Sequence, residues 1–155
     1  MELIDQILSP AELTDVRTRL ASSAWGWGYI SNDPQKPIWN LDKKISADIA
    51  DILINKLTGY ALVDYHVNGQ TLGQQAAVHR DSDYGKSTHA LVYFPNPWQY
   101  EWGGRLHIFD TEPRVITPKE NFGVLFDAEL LHYAEAPTEN VLRVSVGLKL
   151  RKIDG

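Results

Sequence analysis

From Leu142 to Leu150 apolar and polar residues alternate without a break. Successive side chains of an extended strand point to opposite faces. Leu142, Val144, Val146, Leu148 and Leu150 therefore share one face, and Arg143, Ser145, Gly147 and Lys149 share the other. The first face is continuous apolar packing. The second carries cations, a hydroxyl and a glycine that makes room, the pattern of a central strand with a core behind it and a polar cavity in front. Any fold for this chain has to supply both.

The rest of the sequence supplies candidates for each side. Ser9-Pro10-Ala11-Glu12 reads as a helix start, with Ser9 as cap, Pro10 at the first helical position and Glu12 completing a capping box. Leu13, Val16 and Leu20 follow at helical spacing. A second helix is expected over about Ile45 to Leu57, where Ile45, Ile49, Ile52, Leu53 and Leu57 share a face, with Gly59 placed to end it. The Trp-, Gly- and Pro-rich segment Trp25–Trp39 reads as loop with one short strand.

From Tyr60 onward no helical period survives. Strands are expected near Tyr60–Val67, Gln75–His79, Thr88–Phe94, Arg105–Phe109, Gly123–Phe126, Leu131–Ala134 and Val141–Leu150, punctuated by turn residues that include Gly69, Gly73, Gly85, Gly103, Gly104 and Pro137. Two helices followed by short strands suggest a mainly β fold in which N-terminal helices back a β-sandwich or jelly roll. With 155 residues and no internal repeat or linker, the expectation is one domain over residues 1–155, with helical support over about 1–59 and a β core over about 60–155.

Composition narrows the function classes. Twenty acidic against 15 basic residues leave a net charge of -5, which argues against a surface built to attract phosphate backbones. The absence of cysteine excludes disulfides, thiolate metal sites and cysteine nucleophiles. No basic stretch leads into a long apolar run at the N-terminus, and no window is apolar enough to span a bilayer. The expected setting is cytoplasmic, with no membrane partner.

His79-Arg80-Asp81 puts an imidazole and a carboxylate on the same side of an extended segment, and His132 follows a strand-like run. Two imidazoles and one carboxylate can form the facial triad of non-haem iron(II) sites, which leaves adjacent coordination positions open. Taken singly, His-x-Asp triplets arise by chance, and His132 alone reads as a half-buried histidine. Arg143, eleven residues after His132 and in the alternating strand, changes the balance. A guanidinium can bind a carboxylate by two parallel hydrogen bonds, and Ser145 lies on the same face.

These residues resemble the 2-oxoglutarate/Fe(II)-dependent dioxygenase superfamily, closest to its prolyl 4-hydroxylase-like branch. The family pattern of His-x-Asp, a distal His and a later basic residue falls on His79, Asp81, His132 and Arg143. The stretch Leu91-Val92-Tyr93-Phe94-Pro95-Asn96-Pro97-Trp98-Gln99-Tyr100-Glu101-Trp102-Gly103-Gly104 is similar to that branch's "LLYLN…W…EWGG" segment, with Pro95 in place of the usual asparagine. The resemblance implies a double-stranded β-helix (jelly-roll, cupin-like) backed by two α-helices. It implies Fe(II) held by His79, Asp81 and His132, 2-oxoglutarate and O2 as co-substrates, and ascorbate as a reductant. It also implies that Arg143 holds the far carboxylate of 2-oxoglutarate, helped by Tyr93 and Ser145, with Tyr65 approaching from the iron side. The implied activity is hydroxylation of a C–H bond, first of a prolyl residue in a peptide or protein.

Substrate contacts are expected from Trp102, Arg105 and His107 beyond the Gly103-Gly104 pair, and from Trp27 and Trp39 in the aromatic loop. His66 and His89 read as ordinary strand residues, and Arg80 and Asp83 flank the triad without an assigned role. Competing readings are a small-molecule or free amino-acid hydroxylase, a nucleic-acid dealkylase of the same superfamily, a non-catalytic jelly-roll binding module and a zinc hydrolase on the same ligands. The dealkylases carry a second arginine six residues beyond the first, where this chain has Lys149.

Overall fold

The structure, a computed structural model, describes residues 1–22, 24–81 and 87–153. Gly85 and Asp83 lie outside the described residues. The first helix, α1 (Pro10–Leu20), opens with a complete capping box: Ser9 Oγ accepts the Glu12 N–H, and the Glu12 carboxylate accepts the Ser9 N–H. Helix α2 (Lys43–Ile54) starts earlier than the apolar spacing alone implies, because Asp42 is the cap and accepts from the Lys44 and Ile45 N–H groups.

Among the described residues, ten strands form two antiparallel sheets. They are β1 (Glu2–Asp5), β2 (Trp25–Tyr29), β3 (Ile38–Leu41), β4 (Tyr60–Gln70), β5 (Thr88–Phe94), β6 (Leu106–Phe109), β7 (Pro113–Ile116), β8 (Phe122–Asp127), β9 (Leu131–Ala134) and β10 (Arg143–Lys152). The major sheet runs β1-β8-β5-β10-β4-β3-β2 and the minor sheet β7-β6-β9. Facing one another, and backed by the two helices, they make a double-stranded β-helix. β10 pairs with β5 on one side and β4 on the other, so the alternating strand is central. Its Val144, Val146, Leu148 and Leu150 pack with Leu13, Val16 and Leu20 of α1 and Ile49 and Leu53 of α2. A second core between the sheets holds Ala90, Phe94, Leu106, Ile108, Val124 and Phe126. Burying each such aliphatic or aromatic side chain contributes about 1.5–3 kcal/mol.

Three expectations are corrected. The N-terminal part is more than helical support, since β1, β2 and β3 extend the major sheet. The Trp25–Trp39 segment belongs to a hairpin, β2 paired with β3, with Gly26 opposite Asn40 and Gly28, at φ +95°, the extra residue where the register shifts. The stretch Gln75–His79 is not a strand; it is held to β9 by the bridge between His79 and His132 and by the Ala76 N–H donating to the Ala134 carbonyl at 3.2 Å.

Candidate metal centre

That bridge builds the centre. His79 and His132 exchange both backbone hydrogen bonds, at 3.0 and 2.9 Å, so their rings stand side by side with centroids 4.2 Å apart. The Asp81 N–H donates to the Ala128 carbonyl at 2.8 Å, which turns the carboxylate toward both rings. Asp81 Oδ1 lies 3.8 Å from His79 Nε2, and Oδ2 lies 3.2 Å from His132 Nε2. The three ligand atoms all fall within 4.8 Å of one another.

The rings are oriented from behind. His79 Nδ1 is 2.9 Å from the Ala77 carbonyl, and His132 Nδ1 is 2.8 Å from the Leu130 carbonyl. The two carbonyls fix the ring orientations and turn each Nε2 toward the carboxylate; with the N–H on Nδ1, Nε2 would be the atom that binds a metal, the arrangement that backs metal-ligating histidines. Three electron-pair donors converging on one point can hold a cation, and two imidazoles with a carboxylate suit iron(II). Burial opposes protonation of His79, as does the neighbouring His132, and its pKa is lowered. Burial alone would raise the Asp81 carboxyl; the His132 hydrogen bond and the Lys149 cation outweigh it and hold Asp81 below the usual range. The net shift of each group favours the form that binds metal.

The centre opens on a cavity of about 90 Å³. Its floor is two paired strands: Arg143, Ser145 and Gly147 of β10 stand opposite Gln70, Asn68 and His66 of β4, and all six line it. Arg143 is 1% exposed. Its Nε donates to the Gly104 carbonyl at 2.7 Å and Nη1 to Gln70 Oε1 at 3.0 Å, and its guanidinium carbon lies 5.1 Å from the Phe94 ring centre. Nη2 is buried without a hydrogen-bond partner among the described residues. Burial lowers the Arg143 pKa to about 10, which still leaves the group charged near neutrality. Lys149, also on this face, reaches Asp81 Oδ2 at 2.7 Å. His66 packs against Gly147, where any Cβ would collide with its ring; burial and the nearby Lys149 push its pKa down to about 3.

The family model for the 2OG-Fe(II) oxygenase superfamily matches residues 62–148. The chain belongs to the 2OG-Fe(II) oxygenase superfamily. Among solved structures, it is similar to a Pseudomonas putida prolyl-4-hydroxylase, at 19% identity and TM-score 0.67, with 97% of this chain and 92% of that one covered. It is also similar to an oxidoreductase of the 2OG-Fe(II) oxygenase family from Burkholderia pseudomallei, at 11% identity and TM-score 0.74, covering 99% of this chain and 86% of that one. A third is a prolyl hydroxylase from Trichoplax adhaerens in complex with a hypoxia inducible factor oxygen degradation domain peptide fragment, at 18% identity and TM-score 0.68, with 97% and 83% covered. At these identities the likeness is one of fold. No curated protein matches the chain. Superfamily membership implies iron(II) and 2-oxoglutarate, and the His-Asp-His donor set fits the metal.

Several residues expected at an oxygenase site of this kind lie elsewhere. Tyr93 sits on the helix-facing side of β5, fully buried, its hydroxyl donating to Asn121 Oδ1 at 2.8 Å; its neighbour Val92 lines the cavity instead. Tyr65 is likewise on the helix face of β4, under the Lys43 ammonium 3.8 Å from its ring centre, and His66 takes the cavity side. On β3, Ile38 lines the cavity while Trp39 faces the other way, its ring tilted against that of Trp27 with centroids 5.1 Å apart. Trp27 borders an open groove along β2 instead. Trp102 ends a short 3-10 turn, edge-on to Trp98 at 5.2 Å, outside the cavity lining. Arg105 and His107 do share a face, but it is the outer face of the minor sheet; His107 stacks on Tyr133 and meets Glu135 Oε2 at 2.8 Å. The alternation His66, Asn68, Gln70 was the sequence signal for the missed half of the floor.

Proposed function

We propose that this chain is an iron(II)- and 2-oxoglutarate-dependent hydroxylase that acts on a prolyl residue of a peptide or protein. The carrying observation is that the convergent His79, Asp81 and His132 open on the same cavity as a buried guanidinium with one unpaired nitrogen. A buried donor without an acceptor is costly, and a carboxylate bound at Arg143 Nη2 removes that cost. His79, Asp81 and His132 would hold the metal, and Arg143 would hold the far carboxylate of the 2-oxo acid, with Ser145 beside it. When bound, metal and co-substrate supply the oxidation of a C–H bond by oxygen. The Phe94 ring under the guanidinium and the Val92 and Leu106 side chains in the wall keep water from that end of the site.

Two observations support a peptide over a compact metabolite. About 90 Å³ is far less than the roughly 300–1,000 Å³ of pockets that enclose a whole small ligand. Co-substrate would fill it, so the substrate would present one group from outside, as a residue of an extended peptide does. The fold likeness to the two prolyl hydroxylases points the same way.

The test is anaerobic titration of the metal-free chain with iron(II) and then 2-oxoglutarate, followed by turnover with proline-containing peptides and ascorbate. A weak visible charge-transfer band that needs both components, with peptide-dependent succinate release, is the expected result. Iron bound without any band on adding 2-oxoglutarate would sink the co-substrate assignment. A band without turnover on any prolyl peptide would sink only the substrate.

A further inference from the structure

Lys149 has no task in the scheme above, yet it is 7% exposed and its Nζ lies 2.7 Å from Oδ2 of Asp81, itself 8% exposed. Burying an ammonium carries the desolvation penalty of any ion, so its place calls for a partner and a reason. The partner is Asp81. Resting on the reading of His79, Asp81 and His132 as metal ligands, we propose that Lys149 is a positioning residue that keeps Asp81 a one-oxygen ligand.

A carboxylate can bind a metal through one oxygen or two. A facial triad works because three protein atoms leave three positions free, two for a chelating 2-oxo acid and one for oxygen. A second oxygen from Asp81 would occupy one of them. The charge-assisted bond from Lys149 engages Oδ2 and leaves Oδ1 to the metal. A lysine suits this as a point charge on a single oxygen, whereas an arginine fork tends to take both.

The fold aims the side chain at that task. Lys149 shares the cavity face of β10 with Arg143, Ser145 and Gly147. Immediately after it the register with β4 slips: Lys149 pairs with Asp64 and Leu150 with Leu62, so Val63 is the extra residue. Such bulges re-aim neighbouring side chains. Gly147 opens the room beside it, which the His66 ring fills. One strand thus carries both the proposed co-substrate anchor and the residue that keeps positions open for that co-substrate.

The experiment uses the full chain loaded with cobalt(II), a spectroscopic substitute for iron(II), and compares Lys149→Met, Lys149→Gln and Lys149→Arg with the wild type. Three quantities are read: the cobalt(II) d–d spectrum, its change on adding 2-oxoglutarate, and the dissociation constant of 2-oxoglutarate. The neutral variants are expected to alter the d–d spectrum and weaken 2-oxoglutarate by about 10–100-fold, the size of loss in metal affinity or activity that follows removal of a residue behind a metal ligand. Lys149→Arg keeps the charge but offers a fork to both oxygens, so it should not restore the wild-type 2-oxoglutarate affinity. Melting temperatures of the cobalt-loaded variants identify any chain that is not folded, and either neutral variant suffices. If a folded neutral variant keeps the wild-type spectrum and binds 2-oxoglutarate within about twofold, Lys149 is an ion pair that supports the fold and the proposal is overturned. A wild-type chain that takes up no cobalt(II) would instead remove the metal-site reading beneath it.

Discussion

Gly104 has φ +67°, and a Cβ there would stand 2.8 Å from Trp98 Cζ2 and 3.1 Å from Arg143 Cδ. Its carbonyl also accepts the Arg143 Nε–H, so one residue supports the guanidinium from below and leaves room for its stem. Gly104→Ala should destabilise the chain by about 1–3 kcal/mol, from positive-φ strain and overpacking, and should weaken 2-oxoglutarate, read by urea unfolding and by the visible titration. Arg143→Ala separates the two effects. It removes the proposed anchor and should abolish measurable 2-oxoglutarate binding while iron(II) still binds; unchanged co-substrate affinity would show that the anchor lies elsewhere.

At the scale of elements, β10 holds the two cores and the cavity together. Leu148 is fully buried between β4, β5 and the helices. Leu148→Ala should cost about 2–5 kcal/mol, whereas Val115→Ala on the exposed β7 should stay within about 0.5 kcal/mol; chemical unfolding of both variants checks the contrast. Elements with a local cause were legible in sequence. The Ser9 box, the helical spacing of Leu13, Val16 and Leu20, and the alternation of β10 all depend on near neighbours. The Trp25–Tyr29 strand was not, because Trp-Gly-Trp-Gly-Tyr also reads as a glycine-rich loop, and only pairing with Ile38–Leu41 makes it a strand.

For the whole molecule, the buried polar floor sets the response to acid. His66 ordinarily titrates near 6.5 and is pushed down to about 3 in the fold. Between those values the unfolded chain takes a proton that the folded chain refuses, so stability falls as pH drops through that window, by up to about tenfold in the folding constant per unit. Melts of the metal-free chain from pH 7 to pH 4 should show the decline, and His66→Gln should flatten it; identical slopes would place the acid sensitivity elsewhere.

The sequence by itself determined the inventory: three side chains able to ligate a metal, an arginine in the alternating strand, and that strand with one apolar and one polar face. Spacing along the chain is local information, and alternation survives whatever the strand pairs with. Only the tertiary structure decided which residues of the neighbouring strands look into the cavity. A shift of one residue turns every side chain to the opposite face. The pairing of β10 with β4 and β5 therefore selects His66 over Tyr65 and Val92 over Tyr93. That pairing joins segments far apart in sequence; the alternation within β4 marks a polar face, but only the pairing turns that face toward the cavity.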